Sequence, residues 1–383
     1  MPLIGIQRSA DRSLGLEPAR AGRVQRICAA KPRPRGGLSY NGRMFVHLRL
    51  HSEFSVVDGT TRIDEVVKLA AKDAQPALAL TDFNNLFGAI KLYKEARGKG
   101  VKPIIGAEIV LEGTPQAPAL VSRMLLLVQN RQGYLNLCEL LARGWTRNVH
   151  NAQAVCTRDW LAELNEGLIA LSGAHSGAVG QALLRGDEGA AADLALQMAS
   201  VFPHRFYMEV QRAGRAEDEA HVVAAVKLAA RLKLPVVATH PVQFTGPDDF
   251  EAHEARVCIS EGEILANPRR VRKFTREQYF KNSEQMQALF ADLPSALRNT
   301  VEIARRCSLS LVLGKPQLPD FPTPNGMPIA EYFRFASHEG LEERLKLLFP
   351  KDEERNAQRP RYVERLEFEL NTILKMGFPG YFL

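Results

Sequence analysis

The sequence predicts an α/β fold, a mostly parallel sheet closed into a barrel and followed by a helical segment, and three observations point there. From Met44 to about residue 248, short β-type runs alternate with amphipathic helical patterns, the signature of βαβ units. About seven such runs fall within one stretch, enough to close a sheet on itself. His51, Asp82, Ser172 and His240 each follow directly on a run, and strand carboxyl ends are where such barrels place their functional groups.

Residues 1–43 come first and lack periodicity. They are rich in Arg, Gly and Pro, a composition that buries little apolar surface, and they are expected to stay unfolded. They read as an over-called upstream start, a basic arm on nucleic acid or a transit peptide; the natural start is expected at Met44. They also account for the formal charge of +7, because they hold nine Lys or Arg against Asp11 and Glu17. The rest of the chain is balanced, so body charge does not point to nucleic acid. The five cysteines form no C-x-x-C pair, which argues against a disulfide framework or zinc finger and fits a reducing compartment. No apolar run approaches the roughly 20 residues that span a bilayer.

The expected strands are Phe45 to Leu50, Ala77 to Thr81, Pro103 to Leu111, Met124 to Gln129, Leu168 to Ser172, Phe206 to Gln211 and Val236 to Thr239. The intervening helices are Ile63 to Ala74, Phe87 to Arg97, Tyr134 to Gly144, Glu188 to Phe202 and Glu217 to Leu232. After residue 248 helices follow one another, at Phe250 to Ser260, Ser283 to Phe290 and Ser295 to Cys307. The Pro-rich stretch Lys315 to Pro328 reads as a domain boundary. Two charged amphipathic helices are expected beyond it, at Ile329 to Phe349 and Tyr362 to Met376, and the apolar end MGFPGYFL reads as a truncation.

The first run, FVHLRLHSEFSVVDG, carries the most chemistry. Alternation along a strand puts His47, Arg49 and His51 on one face. Imidazoles two residues apart converge on a metal, but the middle member is a permanent cation that cannot ligate one. Asp82 in TDFNNLFG reads either as a ligand or base, or as a helix N-terminal carboxylate. Glu108 lies inside an apolar strand, where an acid is costly unless paired. His240 ends another buried run. Arg269, Arg270, Arg272 and Lys273, with aromatics interleaved, read either as a phosphate-binding patch or as solvated surface. No phosphate-binding glycine loop or serine-hydrolase elbow is present.

In order and spacing, FVHLRLHSEFSVVDG, PALALTDFNNLFGAIKLY, VKPIIGAE, ELNEGLIALSG, LPVVATHPVQF, NTVEIARRC, GLEERL and MGFPGYFL resemble the amino-terminal part of the bacterial DNA polymerase III alpha family. The resemblance implies a distorted seven-stranded β/α barrel, the PHP domain, over residues 44–310. Residues 311–383 would be the start of a polymerase palm, with the magnesium-binding carboxylates beyond Leu383. Metal-binding PHP barrels hold a cluster of ions. In this sequence His51, Asp58 and Glu108 keep their ligand identities, whereas Arg49, Phe83, Arg123, Ala174, Pro241 and Gln243 stand where ligands are expected. Phosphoester hydrolysis on this fold needs the ions to clamp the phosphate and supply hydroxide. The implied barrel is therefore metal-free, a scaffold that docks the proofreading exonuclease subunit. The other implied partners are further replicase subunits and, through the whole protein, DNA. Magnesium is implied for the whole polymerase, the location is cytoplasmic, and no membrane is involved. The alternative is a live metal-dependent phosphoesterase or 3′–5′ exonuclease.

Overall fold

A computed structural model describes residues 44–113, 120–315 and 320–383. The expectations for residues 1–43 and part of the Pro-rich connector lie outside these. In chain order the first half runs α1 (Ile63–Lys72), β1 (Ala77–Leu80), α2 (Ala89–Gly98), β2 (Lys102–Leu111), β3 (Ser122–Val128) and α3 (Arg131–Arg147). A small hairpin, β4 (Val149–His150) and β5 (Gln153–Ala154), and α4 (Arg158–Glu163) lead to β6 (Leu168–Leu171), α5 (Ala178–Leu184) and α6 (Glu188–Val201). Next come β7 (Phe206–Gln211), α7 (Asp218–Leu232) and β8 (Val236–Thr239). Helices α8 (Phe250–Glu261), α9 (Ser283–Leu289), α10 (Pro294–Arg306), α11 (Ile329–Leu348), α12 (Asp352–Met376) and α13 (Pro379–Phe382) complete it.

Local chemistry starts these helices. Asn130, Thr157 and Asp187 accept the backbone N–H three residues on, from Gly133, Trp160 and Ala190, satisfying donors a helix leaves orphaned. Asn282 and Gln285 cap α9 reciprocally. Helix α12 opens on Asp352, Glu353 and Glu354, which suit the positive end of its dipole. It begins ten residues earlier than expected and runs through Pro360, which reads in sequence as a breaker.

The sheet order is β1-β2-β3-β6-β7-β8. The β1–β2, β6–β7 and β7–β8 pairs are parallel, whereas β3 runs antiparallel to both β2 and β6. The expectation of a mostly parallel sheet therefore needs correction at β3. A parallel return needs a crossover of about a dozen residues or more, usually a helix, and the link from Leu111 to Ser122 is shorter than that.

The seventh position is filled by residues 45–51, which run extended without forming a regular strand. On one side the carbonyls of His47 and Leu50 accept the N–H groups of Ala79 and Thr81, each at 2.9 Å. On the other, His51 N donates to Val242 O at 2.9 Å and Leu50 bridges Val242 in parallel. This segment joins the two ends of the sheet.

Alternation sorts the strands into two faces. Outward residues such as Leu78, Leu80, Ile105, Leu126, Ala170, Met208 and Ala238 pack in the large core under the helices. Inward residues at the lower end, Ala77, Ile104, Leu127, Ile169, Tyr207 and Val237, form a second apolar layer with Val301, Ile303 and Ala304 of α10. Lys102 Nζ donates to Ala304 O at 2.9 Å and Asn299 Nδ2 to Val236 O at 2.7 Å, fixing α10 across that end. At the other end the inward positions are polar, with Glu108, Arg123, Glu209 and Thr239. Because β3 is reversed, its first residues reach the level of the last residues of β2.

Candidate functional site

The polar mouth is organised by Arg49. Its Nη1 donates to Glu108 Oε2 at 2.6 Å, and its Nε and Nη2 donate to the two oxygens of Glu209 at 2.9 and 3.3 Å. Both carboxylates are essentially unexposed. Glu209 also accepts Gly173 N–H at 3.1 Å, Gln211 Nε2–H at 3.1 Å and the Thr239 hydroxyl at 2.5 Å. Gly173 serves here because its φ is +82° and an added Cβ would lie 2.1 Å from Arg123 O.

His51 forms the second half of the network. Its Nδ1 is 2.9 Å from Asp58 Oδ1 and its Nε2 is 2.8 Å from Glu108 Oε2. Burial opposes a charge on this imidazole, but the Asp58 and Glu108 carboxylates outweigh burial and push its pKa up to about 10. The same attraction acts in reverse. Burial would raise Glu108, yet Arg49, Arg123 and His51 hold it well below the usual carboxylate range, and His51 and Arg123 similarly depress Asp58. Arg123, a third exposed, lies 3.5 Å from Glu108 and 4.0 Å from Asp58 and stacks on Phe83, its guanidinium carbon 4.5 Å from the ring centroid. Three cationic side chains thus face three carboxylates.

The structure brings Arg49, His51, Asp58, Glu108 and Arg123 together, with Phe83 beside them and the Gln243 amide 3.3 Å from His51 Nδ1. Ala174 and Pro241 bring no hydrogen-bonding side chain. Asp82 stands just beneath, accepting Ser52 N–H at 2.6 Å and the Ser52 hydroxyl at 2.9 Å; burial raises its pKa to about 6. Ser172 accepts Glu209 N–H at 2.9 Å.

The expectation that His47 shares a face with Arg49 and His51 is not met. Leu48 packs in the inward layer and the next residue, Arg49, also reaches inward-facing carboxylates, so the two-residue alternation breaks between them. His47 instead donates Nε2–H to Lys281 O at 2.7 Å, between Phe45 and Phe280. His240 donates to Glu277 O at 2.8 Å. Burial lowers His47 to about 4 and His240 well below its ordinary value.

The acid missed in the sequence is Glu209. Its signal was present, since FYMEVQ puts a carboxylate inside a buried apolar run just as VKPIIGAE does. In the basic segment, Arg270 pairs with the buried Glu254, and Lys273 Nζ lies 2.7 Å from Glu261. Arg269 and Arg272 remain exposed, Arg272 at 3.8 Å from Glu254. Three of the four residues of that cluster, all but Arg269, therefore pair with α8 carboxylates.

The retained ligand types do not fit a metal as arranged. Glu108 and Glu209 are engaged by the Arg49 guanidinium and Asp58 by His51, so an ion would have to displace fixed cations and approach against their charge. Among the described residues, no group of three or more His, Cys, Asp or Glu is disposed to hold one. No helix among them is long and apolar enough to cross a membrane.

A family model for the PHP domain matches residues 47–213. DNA polymerase III subunit alpha of Pseudomonas aeruginosa is 53% identical over 340 residues, covering 88% of this chain and 29% of that protein. Its namesakes in Neisseria meningitidis and Escherichia coli K12 are 51% and 46% identical over 88% of this chain. The chain thus spans less than a third of the length of these curated relatives. Among solved structures, an amidohydrolase from Chromobacterium violaceum is similar at 15% identity and a TM-score of 0.37, over 55% of this chain and 96% of that one, too slight a likeness to support more.

Proposed function

From the premise that the chain belongs to the DNA polymerase III alpha family and carries its PHP domain, we propose that it is the amino-terminal region of a replicative, cytoplasmic DNA polymerase subunit. In this reading the barrel holds no metal and performs no hydrolysis. It stabilises the polymerase and docks the separate proofreading exonuclease subunit, while nucleotidyl transfer with magnesium belongs to the rest of the protein, alongside DNA and the other replicase subunits.

The observation that supports it is Arg49. Its guanidinium supplies, between Glu108 and Glu209, the positive charge that an ion would otherwise bring. Phosphoester hydrolysis in this fold rests on bound metal that polarises phosphate and activates water. A fixed cation can neutralise carboxylates, but it offers no open coordination position for water.

The test is metal content with activity. The purified chain is dialysed against zinc and manganese, its ions are counted by elemental mass spectrometry, and a model phosphoester is offered. The expected result is a folded protein with less than one ion per chain and no hydrolysis. Stoichiometric binding of two or three ions, indifferent to Arg49→His, would overturn the reading in favour of an active phosphoesterase or 3′–5′ exonuclease built on His51, Asp58 and Glu108.

A further inference from the structure

We propose that Arg158 and Ser122 form a binding site for a small monovalent anion of chloride size, in a cavity between the start of β3 and helices α4, α5 and α6. The site lies apart from the polar mouth and does not depend on the reading above. The cavity wall is largely apolar, Met124, Met198 and Phe206 among it, and its polar side chains are Ser122, Arg123, Arg158 and Ser172. Arg123 turns its guanidinium to Glu108 and Phe83 in the mouth. Arg158 is therefore the cation that faces this cavity, and among the described residues no carboxylate lines it.

Arg158 Nε, Arg158 Nη2 and Ser122 Oγ are buried and meet no hydrogen-bond partner among the described residues. The Nε–H and the neighbouring Nη2–H lie along one edge of the planar guanidinium and point the same way. Elsewhere in the chain that edge grips an acid. Nε and Nη2 of Arg49 hold Glu209 at 2.9 and 3.3 Å, and those of Arg212 hold Glu219 at 2.6 and 3.1 Å. Arg158 presents the same edge with no acid to meet it. Glu112 is spent on the Arg158 backbone, accepting its N–H at 2.8 Å, and the Arg158 guanidinium forms no ion pair among the described residues. From Gly113 to Cys138 the sequence holds no Asp or Glu, so the stretch joining β2 to β3 carries none either. Burial lowers the pKa of Arg158, and the attraction of Glu112 offsets only part of that effect.

Size and charge select the occupant. The cavity admits the centre of a water-sized sphere over about 10 Å³, room for one water or one ion of similar size. A phosphate group is too large for it, and a metal cation is repelled by Arg158. Water satisfies the donors but leaves a buried charge unpaired, the costly arrangement. A monovalent anion satisfies donors and charge together. Ser172 adds a further donor, because its Oγ accepts Glu209 N–H at 2.9 Å and keeps its own O–H to give. An ion held there ties α4 to the first residue of β3, next to Arg123.

The experiment follows urea unfolding of the full chain in sodium chloride and in sodium gluconate at matched ionic strength, gluconate being too large to enter. Binding to the folded chain alone raises the folded-to-unfolded ratio, about 11-fold at ten times the Kd, so chloride should stabilise saturably where gluconate does not. Arg158→Gln should abolish that increment. Ser122→Ala should raise the chloride Kd on the order of 10-fold, as for one lost hydrogen bond to a charged group. Lys227→Gln, on exposed α7 surface, should leave the increment unchanged. Crystals grown in bromide should show an anomalous peak within hydrogen-bond reach of Arg158 Nε, Arg158 Nη2 and Ser122 Oγ. If Arg158→Gln does not fold, the Ser122→Ala titration and the bromide peak decide. Equal stability of the wild type in both salts, an increment that survives Arg158→Gln, or water density without an anomalous signal would each overturn the proposal. So would a bromide peak with no stabilisation in solution, which would mark an adventitious ion only, or protection by phosphate and not by chloride.

Discussion

Replacing Arg49 with methionine removes one cation from between two carboxylates that have essentially no solvent exposure. The side chain makes three donor contacts, at 2.6, 2.9 and 3.3 Å, and methionine refills most of its volume but none of its charge. Breaking a buried pair by deleting one partner costs about 3–5 kcal/mol, because the survivor stays buried and uncompensated. Glu209 retains donors from Gly173, Gln211 and Thr239, and Glu108 retains His51 and Arg123, so the lower half of that range is expected, about 3 kcal/mol. Urea unfolding followed by circular dichroism measures it, and a fall of several degrees in Tm should accompany it. The loss should shrink as pH falls from 8 toward 5, because the stranded carboxylates can then take up protons. Adding Glu209→Gln should recover part of the stability, because the carboxylate left without its cation is then removed as well. A cost below about 1 kcal/mol for Arg49→Met, independent of pH, would refute the view that this guanidinium holds the mouth together.

Other perturbations separate the parts of the network. His51 is raised from 6.5 to about 10, so its contribution is complete below pH 6.5 and is lost as pH climbs to about 10; His51→Gln should flatten the alkaline limb of a stability–pH curve. His47 is lowered from 6.5 to about 4, so the unfolded chain binds the extra proton and His47 alone lowers stability by up to about 1.4 kcal/mol per pH unit as pH falls between those values; His47→Gln should reduce the slope in urea titrations at pH 4.5–6.5 by its share, leaving that of the other buried histidines such as His240. Arg123, partly in solvent, should cost less than about 1 kcal/mol when changed to alanine, as half-exposed pairs do, measured in the same urea assay. Gly173→Ala should destabilise by about 2 kcal/mol or more through its positive φ and the clash with Arg123 O, with calorimetric Tm as readout.

The sequence made the alternation of strands and helices legible because each period is local, and α8 to α11 fell within a residue or two of their expected bounds, whereas α12 starts ten residues early, ahead of Pro360. Arg49, His51 and Glu108 were also legible, since charge in an apolar run demands a partner. The partner itself was not: Glu209 lies 160 residues from Arg49, and no spacing rule reaches that far. The reversal of β3 depends on what its short connection can span, and the broken alternation after Leu48 depends on two neighbouring strand ends. Both are tertiary constraints that local periodicity does not carry.

The extended segment 45–51 has a consequence for how the chain comes together. It is synthesised first among the described residues, yet its edge is completed by Val242, and His51 and Gln243 are 192 residues apart. Contacts that distant form slowly, because loop closure must precede any gain. At roughly 5–20 residues per second of synthesis, Arg49 waits roughly 10–30 s for Glu209 to appear, with Glu108 as its earlier company. The barrel is therefore latched late by its oldest piece. Pulse-labelled amide exchange during refolding should find the N–H groups of His51 and Thr81 protected together, after those of β2 and β3.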